Sequence, residues 1–141
     1  MMRVLLDTDV VLDHLLERVP FAETAGKLLE LNVHGAFDGY ISGITPINIF
    51  YIGRKFMGRD ELRQALQDLL VAVHVCPITH DSLSQAFDLS FADYEDAVQH
   101  ASATANNLEA IVTRNLEDYK NATLPVFSPT DFLNQLTSPQ E

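Results

Sequence analysis

Residues 3–16, "RVLLDTDVVLDHLL", decide how the rest of the chain reads. A short apolar run, Arg3–Leu6, reads as a buried strand and ends on three carboxylates, Asp7, Asp9 and Asp13, within seven residues. Apolar spacing then turns helical, with Leu12, Leu15, Leu16 and Val19 on one face and Asp9 placed to cap the helix. A strand feeding directly into a helix is the first half of a parallel β-α-β unit. Its carboxylates repel one another unless something positive offsets them. The stretch can therefore be a metal site, a phosphoryl-transfer nucleophile, or a strand end followed by a capped helix.

The remainder of the chain continues the alternation. Pro20 ends the first helix, and residues 21–33 form a second with Phe21, Ala25, Leu28, Leu29 and Leu31 on its apolar face. Residues 35–42 read as a weak strand. Residues 45–56 begin a helix, with Thr45 as cap and Pro46 at the first position. Residues 60–73 are a further amphipathic helix, and 73–78 a short buried strand. Residues 80–91 and 94–107 are helical, 109–113 and 124–127 strands, and 128–136 a closing helix with Ser128 or Thr130 near its cap. Short apolar strands alternating with helices predict an α/β fold, a three-layer α/β/α sandwich around a central parallel sheet. No repeat or long linker interrupts it, so the expectation is one domain over residues 1–141.

Composition narrows the function. The 141 residues carry 9 basic and 20 acidic side chains, a net charge of −11, which argues against a passive nucleic-acid coat. An enzyme that holds phosphates through metal ions remains open. The cations are uneven: Arg54, Lys55, Arg59 and Arg63 crowd into "GRKFMGRDELR". That cluster is either a solvated helix end favouring cations at its C-terminus or a guiding patch for a polyanion or acidic partner. The apolar stripe Ile47, Phe50, Tyr51 and Phe56 beside it reads as core or dimer packing. The 47% hydrophobic content, near-zero mean hydropathy and lack of a run of about 20 apolar residues predict a soluble, cytoplasmic protein that crosses no membrane. No signal peptide is expected, because Arg3 is followed by only three apolar residues. The single cysteine, Cys76, lies in an apolar run and reads as a buried structural thiol.

Working groups of a parallel sheet gather at the carboxyl ends of its strands. Here that rim carries Asp7 and Asp9, then Ser42 and Thr45 with Asn48 one turn on, then Arg114 and Asn115 with Asp118 nearby. Asp96 joins from the first turn of its helix, flanked by Asp93 and Glu95. An aspartyl phosphotransferase would match Asp7-Thr8-Asp9, but Lys27, Lys55 and Lys120 lie at no strand end and Val10-Val11 replaces the Gly-Thr that follows in such enzymes. The six glycines are scattered, so no phosphate-binding loop forms. The serines lack a nucleophile elbow, and the histidines lack zinc-ligand spacing. What remains is a hard-cation site, because Mg²⁺ and Mn²⁺ prefer carboxylate and water oxygens. Two such ions about 4 Å apart can clamp an in-line attack on a phosphodiester and activate the water.

These stations, "LLDTDVVLD", "YISGITPINIFYI", "DYEDAVQHASA" and "IVTRNLEDY", resemble those of PIN-domain proteins, including the VapC-like toxin ribonucleases. The resemblance implies an acidic pocket for Mg²⁺ or Mn²⁺ with Asp7, Asp96 and Asp118 as its metal residues, Asp118 adding charge, and Asp9 in support. It places Asn48 and Asn115 where the family usually has acids, and these amides would orient waters or a phosphate. An amide oxygen can ligate a metal but brings no charge and cannot be a general base. Thr45, Asp93, Glu95 and Arg114 would support the site, Arg114 by contacting phosphate or neutralising the acids. Asp13 is a bystander, solvated or partnered on the helix surface. The implied function is a metal-dependent endoribonuclease acting on RNA, the toxin of a toxin–antitoxin pair with a protein antitoxin and a homodimeric assembly. The alternative is a degenerate PIN fold acting as a non-catalytic RNA- or protein-binding module.

Overall fold

The computed structural model describes residues 1–138; the last three residues of the expected 1–141 span lie outside the described residues. Five strands, β1 (Arg3–Leu6), β2 (Asp38–Ser42), β3 (His74–Cys76), β4 (Ala110–Val112) and β5 (Val126–Phe127), form one sheet in the order β3-β2-β1-β4-β5. Every pairing is parallel. The helices are α1 (Thr8–Leu15), α2 (Ala22–Val33), α3 (Thr45–Gly53), α4 (Arg59–Ala72), α5 (His80–Gln85), α6 (Tyr94–Ala105) and α7 (Pro129–Thr137). Short 3₁₀ turns cover Ala86–Asp88 and Leu116–Tyr119. The three-layer α/β/α architecture expected from the sequence is the one observed.

Alternation along β1 explains the layers. Val4 and Leu6 face a large core with Val10, Leu28, Ile49, Leu62 and Phe132, contributed by α1–α4 and α7, and with Ile41 and Val112 of the neighbouring strands. Leu5 faces the other side with Cys76, Ala103, Leu108, Ile111 and Tyr119. A central strand buried on both faces has no polar face to spare, which is why it reads as a continuous apolar run. Cys76 is fully buried, and desolvation pushes its thiol up to about 11, so it is structural, as expected. Gly53, at the end of α3, allows α4 to pack closely: a Cβ there would lie 2.9 Å from Leu62 Cδ1.

Element ends depart from expectation for identifiable reasons. α1 starts at Thr8, so Asp7 rather than Asp9 occupies the cap position, and Asp9 falls in the first turn. The helix stops at Leu15 because the chain turns through Glu17 at φ 52°, and Val19 is left 89% exposed rather than on the apolar face. Thr45 is the first residue of α3, not its cap; Ile44 holds that position. The Thr45 hydroxyl instead hydrogen-bonds with those of Thr8 and Ser42, joining the ends of β1 and β2. α3 ends at Gly53, and Ile47, Tyr51 and Phe56 are more than half exposed, so those three are not core. Pro77 ends β3 at Cys76.

Asp13 is the largest departure. It is 1% exposed, not a solvated surface residue. Arg114 Nε and Nη2 donate to its two carboxylate oxygens at 2.6 and 3.1 Å, and Arg18 Nη1 lies 3.6 Å away. Arg114 also lies over the Phe21 ring, 4.0 Å from its centroid. This bidentate pair ties α1 to the loop after β4, the segment that carries Thr113 and Asn115. Arg114→Ala leaves the Asp13 charge buried and is expected to cost about 3 kcal/mol, whereas Arg18→Ala costs about 1 kcal/mol or less. Urea denaturation of the two variants checks this, and equal small losses would contradict it.

Candidate metal centre

The strand order reverses direction between β1 and β4, and the crevice at their carboxyl ends is where such sheets bind ligands. Asp7 ends β1 there, and Thr113 follows β4. The Asp7 backbone bridges the two elements: its N–H donates to Val112 O, and its carbonyl accepts from Val10 N. Its carboxylate, on a residue 4% exposed, accepts from Thr113 Oγ1 at 2.7 Å on Oδ2 and from Gln99 Nε2 at 3.1 Å on Oδ1. These bonds and the N-terminus of α1 favour the charged form. Desolvation outweighs them, and with help from the Asp9 charge it raises the Asp7 pKa.

A buried chain of donors leads from Asp7 to the second carboxylate. Gln99, fully buried on α6, also donates through Nε2 to Tyr119 Oη at 3.2 Å, and that phenol donates to Asp96 Oδ1 at 3.2 Å. Burial and the surrounding acids push the phenol's pKa up, so Tyr119 stays protonated and remains a donor. Asp96 sits in the first turn of α6, whose cap is Asp93: the Asp93 carboxylate accepts from Asp96 N at 3.0 Å. Desolvation, then the Asp7 and Asp93 charges, raise Asp96 to about 7, with Asp118 adding to the rise.

Two amide–carboxylate pairs flank this centre. Asn48 Nδ2 on α3 donates to Glu95 Oε1 at 2.6 Å, and Asn115 Nδ2 donates to Asp9 Oδ2 at 2.8 Å. Each amide thus holds an acid from another element at the rim. Glu95 is raised above its ordinary range by desolvation, then by the charges of Asp93 and Asp7. A groove of about 440 Å³, lined by Ile44, Ile78, Leu83 and Val98 with Asn48 and Glu95, adjoins this pair.

The expected residues therefore separate into groups. Asp7, Asp96, Asp9, Glu95, Asn48 and Asn115 meet at one crevice, with Asp93 capping and Thr45 bracing it from below. Asp118 is exposed on the 3₁₀ turn and reaches Asp96 only through its field. Arg114 faces away, bonded to Asp13 rather than to the crevice acids. Gln99, Tyr119 and Thr113 were not singled out from the sequence; Thr113, at the end of a strand and directly before Arg114, was the most accessible to such a reading. His100 is buried with Nε2 accepting from Thr123 N at 3.0 Å, and burial lowers its pKa, so it is neutral packing.

The donor set fits a hard cation in chemistry: it is all oxygen, its acids raise one another's pKa values, and among the described residues no cationic side chain enters it. Among the described residues no three His, Cys, Asp or Glu side chains form a ready-made cage. That suits Mg²⁺, which is typically held by one or two carboxylates and keeps several waters.

Comparison with known proteins follows the same line. A family model described as PIN domain matches residues 3–117. Among solved structures, the chain is similar to VapBC2 from Rickettsia felis bound to a DNA fragment from its promoter, with 16% identity, a TM-score of 0.71 and coverage of 90% of this chain and 98% of that one. It is similar to a toxin–antitoxin complex from Klebsiella pneumoniae at 25% identity and TM-score 0.66, covering 89% of this chain and 97% of that one. It is also similar to VapC20 from Mycobacterium tuberculosis, a Sarcin-Ricin loop cleaving toxin, at 15% identity and TM-score 0.61, over 77% and 86% of the two chains. The sequence has no significant match among curated proteins.

An acid whose pKa is higher folded than unfolded binds its proton more tightly in the native state. Its contribution to stability is present at low pH and is lost as pH rises from the ordinary value of 3.8 through about 7. Metal-free protein is thus expected to lose stability across that window, and Asp96→Asn to remove part of the loss. Discounted for the residue's partial exposure, the variant gains about 1–2 kcal/mol at pH 8 and nothing at pH 4. Denaturation in EDTA at the two pH values checks this; a variant that tracks the wild type at both would contradict it.

Proposed function

The chain belongs to the PIN domain family, and on that premise we propose that it is an endoribonuclease dependent on Mg²⁺ or Mn²⁺. The observation that carries this reading is the pair Asp7 and Asp96, held at the switch point of the sheet by one donor chain with no cationic side chain among the described residues to balance them. A bound divalent cation would supply charge for a phosphodiester oxygen and a more acidic water. Asp7 and Asp96 would hold it, and Asp118, Asp9 and Glu95 would deepen the negative potential. Thr113 and Gln99 keep both Asp7 oxygens oriented, and Tyr119 does the same for Asp96. Asn48 and Asn115 each commit an amide N–H to Glu95 and Asp9, which leaves their carbonyl oxygens to accept from and orient a water.

The assembly follows from the same likeness. The Klebsiella structure is a toxin–antitoxin complex, and a Neisseria gonorrhoeae relative of the same fold is FitAcB. We extend this to the chain as a toxin neutralised by an antitoxin protein, cytoplasmic and homodimeric. Among the described residues no helix is long and apolar enough to cross a membrane. One observation favours a second reading, a non-catalytic binding module: Asn48 and Asn115 occupy stations where the resemblance expects acids.

Two measurements separate the readings. Purified protein is expected to cleave RNA with Mn²⁺ and not with EDTA, and Asp96→Asn to lower the rate on the order of 100-fold, the effect of about 3 kcal/mol. Equal cleavage by wild type and variant would point to a contaminant. Calorimetric titration with Mn²⁺ is expected to show binding that Asp7→Asn abolishes; no binding by the wild type would favour the module.

A further inference from the structure

Among the described residues, the nine cationic side chains divide sharply. Arg3 donates to Tyr40 Oη and Asn106 O; Arg18 and Arg114 pair with Asp13; Lys27 pairs with Glu23 and Lys120 with Glu117. That leaves Arg54, Lys55, Arg59 and Arg63, all exposed, none within ion-pair distance of a carboxylate among the described residues, and all on the elbow between α3 and α4. In a chain of net charge −11, the unneutralised positive charge is gathered in one place.

Helix electrostatics account for only half of it. Arg54 and Lys55 lie at the C-terminus of α3, where cations are favoured. Arg59 is the first residue of α4 and Arg63 lies in its second turn, at the end where the helix dipole disfavours them. Exposed aromatics accompany the charges: Tyr51 is 58% and Phe56 70% exposed. The Arg54 guanidinium lies 4.4 Å from the Tyr51 ring centroid, and Lys55 Nζ lies 5.7 Å from it. Free cations interleaved with exposed rings are what a single-stranded nucleic acid uses, phosphates on the charges and bases on the rings.

The elbow is also continuous with the acidic crevice. Asn48 stands in the first turn of α3 at the crevice, and Arg54 follows the last turn. They are six positions apart, about 9 Å along the helix. A stacked strand carries a phosphate about every 3.4 Å, so the gap corresponds to two or three nucleotides. Ile47, Tyr51 and Arg54, at i, i+4 and i+7, share one helix face, adjacent to the one that carries Asn48.

We propose that the α3–α4 elbow, through Arg54, Lys55, Arg59 and Arg63 with Tyr51, is a docking surface for the sugar–phosphate backbone of single-stranded RNA whose neighbouring segment enters the acidic crevice. The proposal rests on the ribonuclease reading for its choice of ligand. An RNA seated in the crevice alone meets only repulsion from the surrounding acids until a cation is bound, and the elbow supplies the attraction that crevice lacks.

The test measures binding of a labelled single-stranded oligouridylate to the full chain in EDTA, where no cleavage occurs, across a salt series. Arg59→Gln/Arg63→Gln is expected to weaken binding about tenfold at low salt and to lower the slope of log K against log salt by about 1.4, which is 0.7 for each lost phosphate contact. With Mn²⁺, the same variant should raise KM for RNA and leave kcat unchanged. Unchanged affinity and slope would overturn the proposal whatever the nuclease assay shows. Binding of poly-glutamate that the variant loses, with no binding of RNA, would assign the elbow to an acidic protein and also overturn it. RNA binding that depends on the elbow, without Mn²⁺-dependent cleavage, would uphold the elbow and refute only the catalytic reading.

Discussion

The structure depends on one constraint: a carboxylate, Asp7, stands at the end of the central strand with the rest of the sheet packed around it. β1 is buried on both faces, so the charge at its end cannot be hydrated as a surface aspartate is. The chain answers with donors from three directions. Thr113 arrives from β4, Gln99 from α6, and the N-terminus of α1 opens directly behind Asp7. Gln99 then extends the tie through Tyr119 to Asp96, so that two acids far apart in sequence belong to one buried network. Desolvation still raises both acids, and the network therefore orients the carboxylates without neutralising them.

Around this centre the two asparagines hold acids in place. Each donates its amide N–H to a carboxylate brought by a different element, Asn48 to Glu95 and Asn115 to Asp9. The rim keeps negative charge at both flanks even though the stations on α3 and after β4 carry none themselves. The protein's own cations are directed elsewhere. Arg114, adjacent in sequence to both Thr113 and Asn115, turns away to Asp13, locking α1 to the loop that positions the crevice. The result is a crevice with aligned oxygens and unbalanced charge, and cations free only at a distance from it.

Much of this was legible in the sequence because it rests on local patterns. Short apolar strands alternating with helical apolar spacing predict the parallel α/β order, and the strand-end rule gathers Asp7, Asn48, Asp96 and Asn115 at one rim. What escaped was non-local. Asp13 looks like an exposed helix residue because its partner Arg114 lies 101 positions away. Gln99 and Tyr119 carry no signal of their own: one sits in a run of small residues, the other in a short acidic turn, and only the fold makes them neighbours. Asp9 seemed the natural cap, but Asp7 takes the cap position on leaving the strand, and Asp9 is free to accept from Asn115. Thr45 was similarly diverted from capping to the hydroxyl cluster with Thr8 and Ser42.

The central claim is that Asp7 and Asp96 form one divalent-cation site. A crystal of the protein soaked in Mn²⁺ and measured for anomalous scattering tests it most directly. The account predicts a manganese peak within coordinating distance of both carboxylates, completed by waters. Manganese found only at surface carboxylates away from the crevice, with Asp7 and Asp96 still bridged through Gln99 and Tyr119 and no ion between them, would contradict it.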